Sequence, residues 1–379
     1  MASPRLGATT PLAPPLYPSS VYTIPDLDAL ERIYTGDEPG FVYARDAHPN
    51  AHQLAEMLSK LEHAEWSLLC ASGMAAMTAA LLSLVGAGGR IVASDRLYGR
   101  TSQLLKQELS RFGVTTTFVD CSDIAAVRTA LETLARAAVI ETMSNPMCRL
   151  SDIETIARIC ESQRCRLIVD NTFATPVLIR PLEFGAYIVV ESLTKMMGGH
   201  SDVTLGAASG RDKEIFPRIT QIMSIWGLAS SPFDCWLTIR GLATLDLRMK
   251  TATANAAALA DWLATQPGVS RVIYPGRPDH PDYELAKRML GRGRGNMLCF
   301  ELKGGRDAVN RFMREAQGVP FSPSLGSTRT TCSYPSRTSH LYESDDEKKR
   351  QGITDGLVRL SVGIENLAEI QAEMAKGLK

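Results

Sequence analysis

From residue 52 onward the chain switches repeatedly between two hydrophobic periods. Helices are predicted over residues 52–63, 72–85, 100–112, 123–136 and 151–163. Short apolar runs predict strands over 91–95, 115–120, 137–142, 166–171, 187–192 and 203–209. Ser72, just ahead of Gly73 and Met74, has the character of a helix N-cap. This alternation predicts an α/β fold whose central sheet is mostly parallel and covered on both faces. An Ala- and Leu-rich stretch, 238–263, reads as one long helix or two joined ones. It leads into a smaller α+β unit with strands at 271–274, 296–302 and 358–364 and helices at 283–290, 307–316 and 367–376. Residues 343–350 form a run of mixed charge expected to be a solvated face. Residues 1–50 lack periodicity but hold more aromatics than a disordered tail would, so they read as an extended arm over the body or over a neighbouring subunit. The division expected is an arm (1–50), a large cofactor-binding domain (51–250) and a C-terminal substrate domain (251–379).

Composition narrows the function classes. The 379 residues are 45% hydrophobic and 22% charged, with zero formal net charge, which argues against nucleic acid or an anionic membrane as main partner. The eight cysteines include no C-x-x-C pair and lie mostly in apolar runs, as expected of reduced core thiols in a cytoplasmic protein. No cysteine–histidine cluster has the spacing of a metal site, and no stretch has the length of a membrane span.

The candidate chemistry sits at predicted strand ends, where ligands bind in sheets of this kind. Ser192, Thr194 and Lys195 follow the strand at 187–192 and precede Gly198 and Gly199. Two hydroxyls beside a lysine on a glycine-relieved turn suit a phosphate and a Schiff base with pyridoxal 5′-phosphate (PLP); alone, the segment also reads as a surface lysine after a strand. Asp170 ends another strand, either as a turn cap or as partner of a protonated pyridine nitrogen. Tyr98 is a loop tyrosine or a ring stacked on the cofactor. The helix start at Ser72–Met74 offers amides to a phosphate, or is simply capped. Arg359 lies inside an apolar strand and needs an anionic partner, either a substrate carboxylate or a structural carboxylate.

In their order and spacing these segments resemble the Cys/Met-metabolism family of PLP enzymes, from Tyr43 to the C-terminus. The resemblance is carried by Tyr43-Ala44-Arg45, Ser72-Gly73-Met74, Leu97-Tyr98-Gly99, Glu141-Thr142 with Asn145-Pro146, Asp170-Asn171-Thr172-Phe173, the run from Ser192 to Asp202, Ser324-Leu325-Gly326, and Gly352-Ile353-Thr354-Asp355-Gly356 running into Arg359 to Glu365. It implies the aspartate-aminotransferase-like PLP-dependent transferase fold (fold type I). By residue it implies Lys195 as the Schiff-base lysine and proton carrier, Asp170 on the pyridine nitrogen, and Tyr98 stacked on the ring with its hydroxyl near the substrate. Gly73, Met74, Ser192 and Thr194 would hold the phosphate, and Asn145 would approach the ring oxygen or the substrate carboxylate. Tyr43 and Arg45 would reach the neighbouring subunit's phosphate, implying a homotetramer built as a dimer of active dimers. Arg359 and Ser324 would bind the carboxylate of a small amino-acid substrate.

The chain departs from the family pattern after Gly326. A glutamate that helps some members select a distal ammonium is replaced by Arg329, and Arg100 adds a second positive charge beside Tyr98. Together they favour a distal anion on the substrate, unless Arg329 faces solvent or pairs with the acidic loop at 343–347. The function expected is γ-replacement or γ-elimination on a sulfur amino acid or O-acylated homoserine, in the manner of cystathionine γ-synthase. The rivals are a C–S lyase releasing keto acid, ammonia and thiol, a non-catalytic PLP carrier, and a cofactor-free Schiff-base aldolase.

Overall fold

A computed structural model describes residues 8–341 and 343–378; residues 1–7 of the expected arm, and Lys379 of the C-terminal domain, lie outside the described residues. Eleven strands are present among the described residues: β1 (Trp66–Cys70), β2 (Arg90–Ser94), β3 (Thr115–Val119), β4 (Ala137–Glu141), β5 (Arg166–Asp170), β6 (Ile188–Ser192), β7 (Gly206–Gly210), β8 (Val269–Ile273), β9 (Met297–Leu302), β10 (Thr331–Ser333) and β11 (Leu357–Ser361). β1 to β7 form one sheet in the order β1-β7-β6-β5-β4-β2-β3. The β6–β5–β4–β2–β3 pairings are parallel, and β7 runs antiparallel to both its neighbours. The smaller sheet, β10-β11-β9-β8, is antiparallel throughout.

Side chains on a strand alternate between faces, and the core divides accordingly. Ala138, Ile140, Leu167 and Val169 join one apolar cluster, while Ala137, Val139 and Ile168 join the other. The helix Pro49–Glu62 packs on the first face and Gly73–Leu84 on the second. With both faces covered, each strand must be apolar along its length. A third cluster, centred on Phe300 and Phe312 in edge-to-face contact at 5.4 Å, holds the small sheet against the helix Leu245–Ala264.

Several elements differ from expectation for identifiable reasons. β1, a five-residue run between two helices, was not among the expected strands; it pairs antiparallel with β7, and Cys70 also bridges Ala229. β7, with the sequence Gly-Ala-Ala-Ser-Gly, has little intrinsic strand preference and starts three residues later than expected. It is a strand because only small residues fit there: a Cβ on Gly210 would lie 2.4 Å from the Trp66 ring. The predicted helix at 100–112 opens as Gly99–Gln103, widens into a π-type turn at Leu104–Glu108 and tightens to 3₁₀ at Leu109–Phe112. The 238–263 stretch is two joined helices, Pro232–Leu242 and Leu245–Ala264. Leu27–Thr35 and Phe216–Ile225 are further helices, and the arm lies on its own body, where the amide of Tyr17 and the carbonyl of Pro15 bond Asn50.

The run 343–350 is largely the solvated face its charge suggested, with Ser344, Asp345, Asp346, Lys349 and Arg350 exposed, but three of its residues turn inward. Lys348 is buried, Glu343 is half-buried and accepts from Gln351 at 3.0 Å, and Glu347 meets Lys106 at 3.0 Å. Glu347 also closes a capping box with Ser344 on the helix Asp345–Arg350, which packs this charged segment against the body. All eight cysteines are buried and unbridged, and no described helix is long and apolar enough to cross a membrane.

Candidate active site

The carboxyl ends of β4, β5 and β6 lie side by side and deliver Glu141, Asp170 and Ser192 to one edge of the sheet. After Ser192 the chain turns sharply around Lys195. The Lys195 amide bonds the Ser192 carbonyl at 3.1 Å, and its own carbonyl accepts from Gly199 at 2.8 Å. Gly199 has φ +76°, and a Cβ there would fall 2.1 Å from the Arg248 guanidinium. Arg248 is buried and donates to the carbonyls of Met196, Met197 and Gly241, fastening the turn without any carboxylate partner. Gly326, at φ +84°, closes the other side; a Cβ there would lie 2.5 Å from the Met196 amide nitrogen.

Inside this frame the Lys195 amine donates to Ser324 Oγ at 3.2 Å. Burial, and after it the charge of Arg359, push the lysine below its ordinary value, which favours the neutral nucleophilic form. Arg359 projects from β11 and is itself buried. It donates to Asn145 Oδ1 at 2.8 Å and to the Ser324 carbonyl at 3.0 Å, while its Nε has no partner. Amine and guanidinium therefore converge on the same serine. A buried guanidinium that meets no carboxylate is costly unless an anion joins it.

Asp170 is half-buried at the end of β5 and accepts the Thr172 amide at 3.0 Å; desolvation raises it and the Thr172 bonds oppose the rise. Glu141, beside it in register on β4, accepts the Tyr98 amide at 2.5 Å. Tyr98 opens the helix Gly99–Gln103, with its side chain 39% exposed and so accessible to a ligand. A Cβ on Gly99 would lie 2.6 Å from the Ser339 carbonyl, so the tyrosine is braced against the C-terminal segment.

The helix Gly73–Leu84 starts against the Lys195 strand. Its cap, Ser72, accepts the Ala75 amide at 3.1 Å, and a Cβ on Gly73 would sit 2.8 Å from Ser192 Cβ. Gly73, Met74 and Ser192 are thus gathered at a helix N-terminus, where amides and dipole favour an anion. The Thr194 hydroxyl is turned the other way, bonding the Leu205 backbone at 3.2 and 3.0 Å.

Not every candidate joins this group. Tyr43 and Arg45 lie in the arm, the guanidinium 5.0 Å over the exposed tyrosine ring. Arg100 bonds Gln103 at 2.8 Å on its own helix. Arg329 is exposed and turned to the Gly318 carbonyl at 3.4 Å; it meets neither the site nor the acidic run. Among the described residues there is no cluster of three acidic, histidine or cysteine side chains fit to hold a metal.

The donors present suit PLP: a helix N-terminus with Ser192 for a phosphate, a half-buried carboxylate for a ring nitrogen, a half-buried amine for an aldehyde, and an unpaired guanidinium nitrogen for a substrate anion. The profile described as Cys/Met metabolism PLP-dependent enzyme matches residues 3–379. The chain belongs to this family of PLP-dependent enzymes. It is 38% identical to the O-succinylhomoserine sulfhydrylase of Pseudomonas aeruginosa, over 93% of this chain and 86% of that one. It is also 38% identical to the L-methionine gamma-lyase of Porphyromonas gingivalis, over 97% and 92%. Cystathionine gamma synthase from Xanthomonas oryzae pv. oryzae, solved with cystathionine, superposes with a TM-score of 0.92 at 32% identity, covering 97% of this chain and 92% of that one. The fold is the PLP-dependent transferase fold, and the family's cofactor is PLP.

Two site residues escaped sequence reasoning about roles. Arg248 lies between Asp246 and Lys250 on a helix, so nothing in its neighbours singled it out as Arg359 was singled out by its apolar strand. Glu141 stood at a strand end beside Asp170, but nothing in the sequence shows that its carboxyl meets the Tyr98 amide.

Proposed function

We propose that this enzyme performs γ-replacement on an O-acylated homoserine, working in the cytoplasm as a homotetramer of dimers that share their sites. The observation that carries the reading of an amino-acid substrate is the convergence of Lys195 Nζ and the Arg359 guanidinium on Ser324. The relatives named for O-succinylhomoserine and cystathionine support the γ-position.

When bound, PLP withdraws electrons from the substrate's Cα, which makes the proton there removable. Arg359 holds the α-carboxylate, and Asn145 and the Ser324 carbonyl fix the guanidinium plane that receives it. Lys195, whose neutral form burial and then Arg359 favour, takes the Cα proton and carries protons between Cα and Cβ as the γ-substituent leaves. Asp170 would pair with the protonated ring nitrogen, Tyr98 would cover the ring, and Gly73, Met74 and Ser192 would hold the phosphate, with Thr194 steadying the turn behind them. Tyr43 and Arg45 serve the partner subunit's phosphate, which light scattering at the mass of a tetramer would support and a monomer would contradict.

Arg100 supplies the positive charge for a distal carboxylate such as that of a succinyl group; Arg329, turned to Gly318, is the weaker candidate. With a thiol co-substrate, the expected product is a thioether, formed faster from O-succinyl- than from O-acetylhomoserine. Arg100→Glu should reduce that preference about tenfold, and Arg329→Glu should leave it unchanged. A second reading, C–S lysis, draws on the identity to L-methionine gamma-lyase. Keto acid and ammonia released from methionine or cystathionine without a co-substrate would favour it.

A further inference from the structure

We propose that Glu141 is a positioning residue for the cofactor: its buried carboxyl ties the backbone of Tyr98 to the strand end beside Asp170. The inference rests on the roles given above to Tyr98 and Asp170. Three observations converge on it. First, parallel pairing puts Glu141 directly beside Asp170, so the two side chains share one strand-end layer. Second, Glu141 Oε1 accepts the Tyr98 amide at 2.5 Å, across a separation of more than forty positions in the chain. That amide lies at a helix start where no side-chain cap is made locally, so Glu141 supplies the acceptor the local sequence lacks. Third, the strand end is itself fixed, because Ser151 Oγ donates to the Glu141 carbonyl at 2.8 Å.

The charges around Glu141 fit a carboxyl that holds its proton. Burial and the neighbouring Asp170 raise it well above the usual carboxylate range. Arg96 and Arg149, which line the same small cavity as Glu141, are committed elsewhere, to Asp120 at 2.7 Å and to Asp282 at 2.6 Å. A Glu141 that keeps its proton would leave Asp170 to carry the charge beside a ring nitrogen, and its bond ties the backbone bearing the Tyr98 ring to the strand end bearing Asp170. Removing the acceptor would free the Tyr98 backbone and loosen the stack, leaving Asp170 in place.

The test is PLP affinity of the full-length apoenzyme, measured by equilibrium dialysis, for wild type, E141Q, E141M, Y98A and the double variant Y98A/E141M. Methionine fills the volume without an acceptor; glutamine keeps a carbonyl oxygen. E141M should weaken PLP binding about tenfold, the cost of a buried amide left unpaired, and E141Q by less than about threefold. In the Y98A background the E141M effect should shrink to about twofold or less, since both act through one contact. An equal loss with and without Tyr98, or no loss in E141M, would overturn the inference while the proposed function stood. Absence of PLP binding by the wild type would overturn the proposed function, and this inference with it.

Discussion

Arg359 is the residue whose environment is hardest to explain without a ligand. It is buried, its nearest partners are an amide oxygen and a carbonyl, and one of its nitrogens is unsatisfied. A planar fork in that setting is shaped for a carboxylate, and lysine cannot reproduce it. Arg359→Lys should therefore raise KM and lower kcat/KM by about 100-fold, with kcat changed less; steady-state kinetics separates the two. Asp170 was legible as a candidate because it ends an apolar strand, where a polar side chain needs a reason, and Lys195 because it follows two hydroxyl residues and precedes two glycines on the turn after one. Glu141 stands at such an end too, yet its role was hidden, since its partner is a backbone amide that no residue type reveals.

At the scale of elements, the site depends on how closely the helix Gly73–Leu84 approaches the sheet. Gly206 on β7 faces the helix cap, and a Cβ there would lie 2.2 Å from the Ser72 carbonyl oxygen. That contact is backbone to backbone, so the helix start must move. Gly206→Ala should weaken PLP binding about tenfold through this displacement, whereas Gly86→Ala, which meets nothing within 4 Å, should leave it unchanged. Equal affinities for the two variants, measured by dialysis, would detach the helix start from the phosphate. The same close packing explains what the chain's pattern revealed and what it concealed. Parallel strands read as apolar runs because both faces are buried. β7 hid because its residues are small, and the direction of the Arg329 side chain, toward the Gly318 carbonyl, could not be read from its neighbours in the sequence.

Across the whole molecule, buried carboxyls accumulate along one edge of the large sheet. Glu62, at the end of Pro49–Glu62, meets Glu191 on β6, which in turn accepts from Asn171 at 3.2 Å. Burial raises both carboxyls above their ordinary value of 4.5. The sign follows from proton counting. Below pH 4.5 the folded and unfolded states both hold the Glu62 proton; above it the unfolded state releases the proton first, so stability falls as pH rises. Glu62→Gln removes that loss. Its gain in stability should be small near pH 5 and grow toward pH 8 by roughly 1 kcal/mol or more, read as denaturation midpoints at the two pH values. A gain that shrank with rising pH would reverse the assignment. The pair also bears on the site, because Glu191 immediately precedes Ser192 and shares Asn171 with the β4–β5 edge through the bond from Thr142 at 2.8 Å.

If Lys195 moves protons at Cα and Cβ of an acylhomoserine while the γ-substituent departs, solvent hydrogen must enter both carbons. Incubating O-succinyl-L-homoserine with the PLP-loaded enzyme in heavy water, with a thiol present, and reading the thioether product by NMR measures this. Deuterium at both Cα and Cβ of the product, absent with Lys195→Ala, is the predicted result. Exchange confined to Cα with the succinyl ester intact would contradict it.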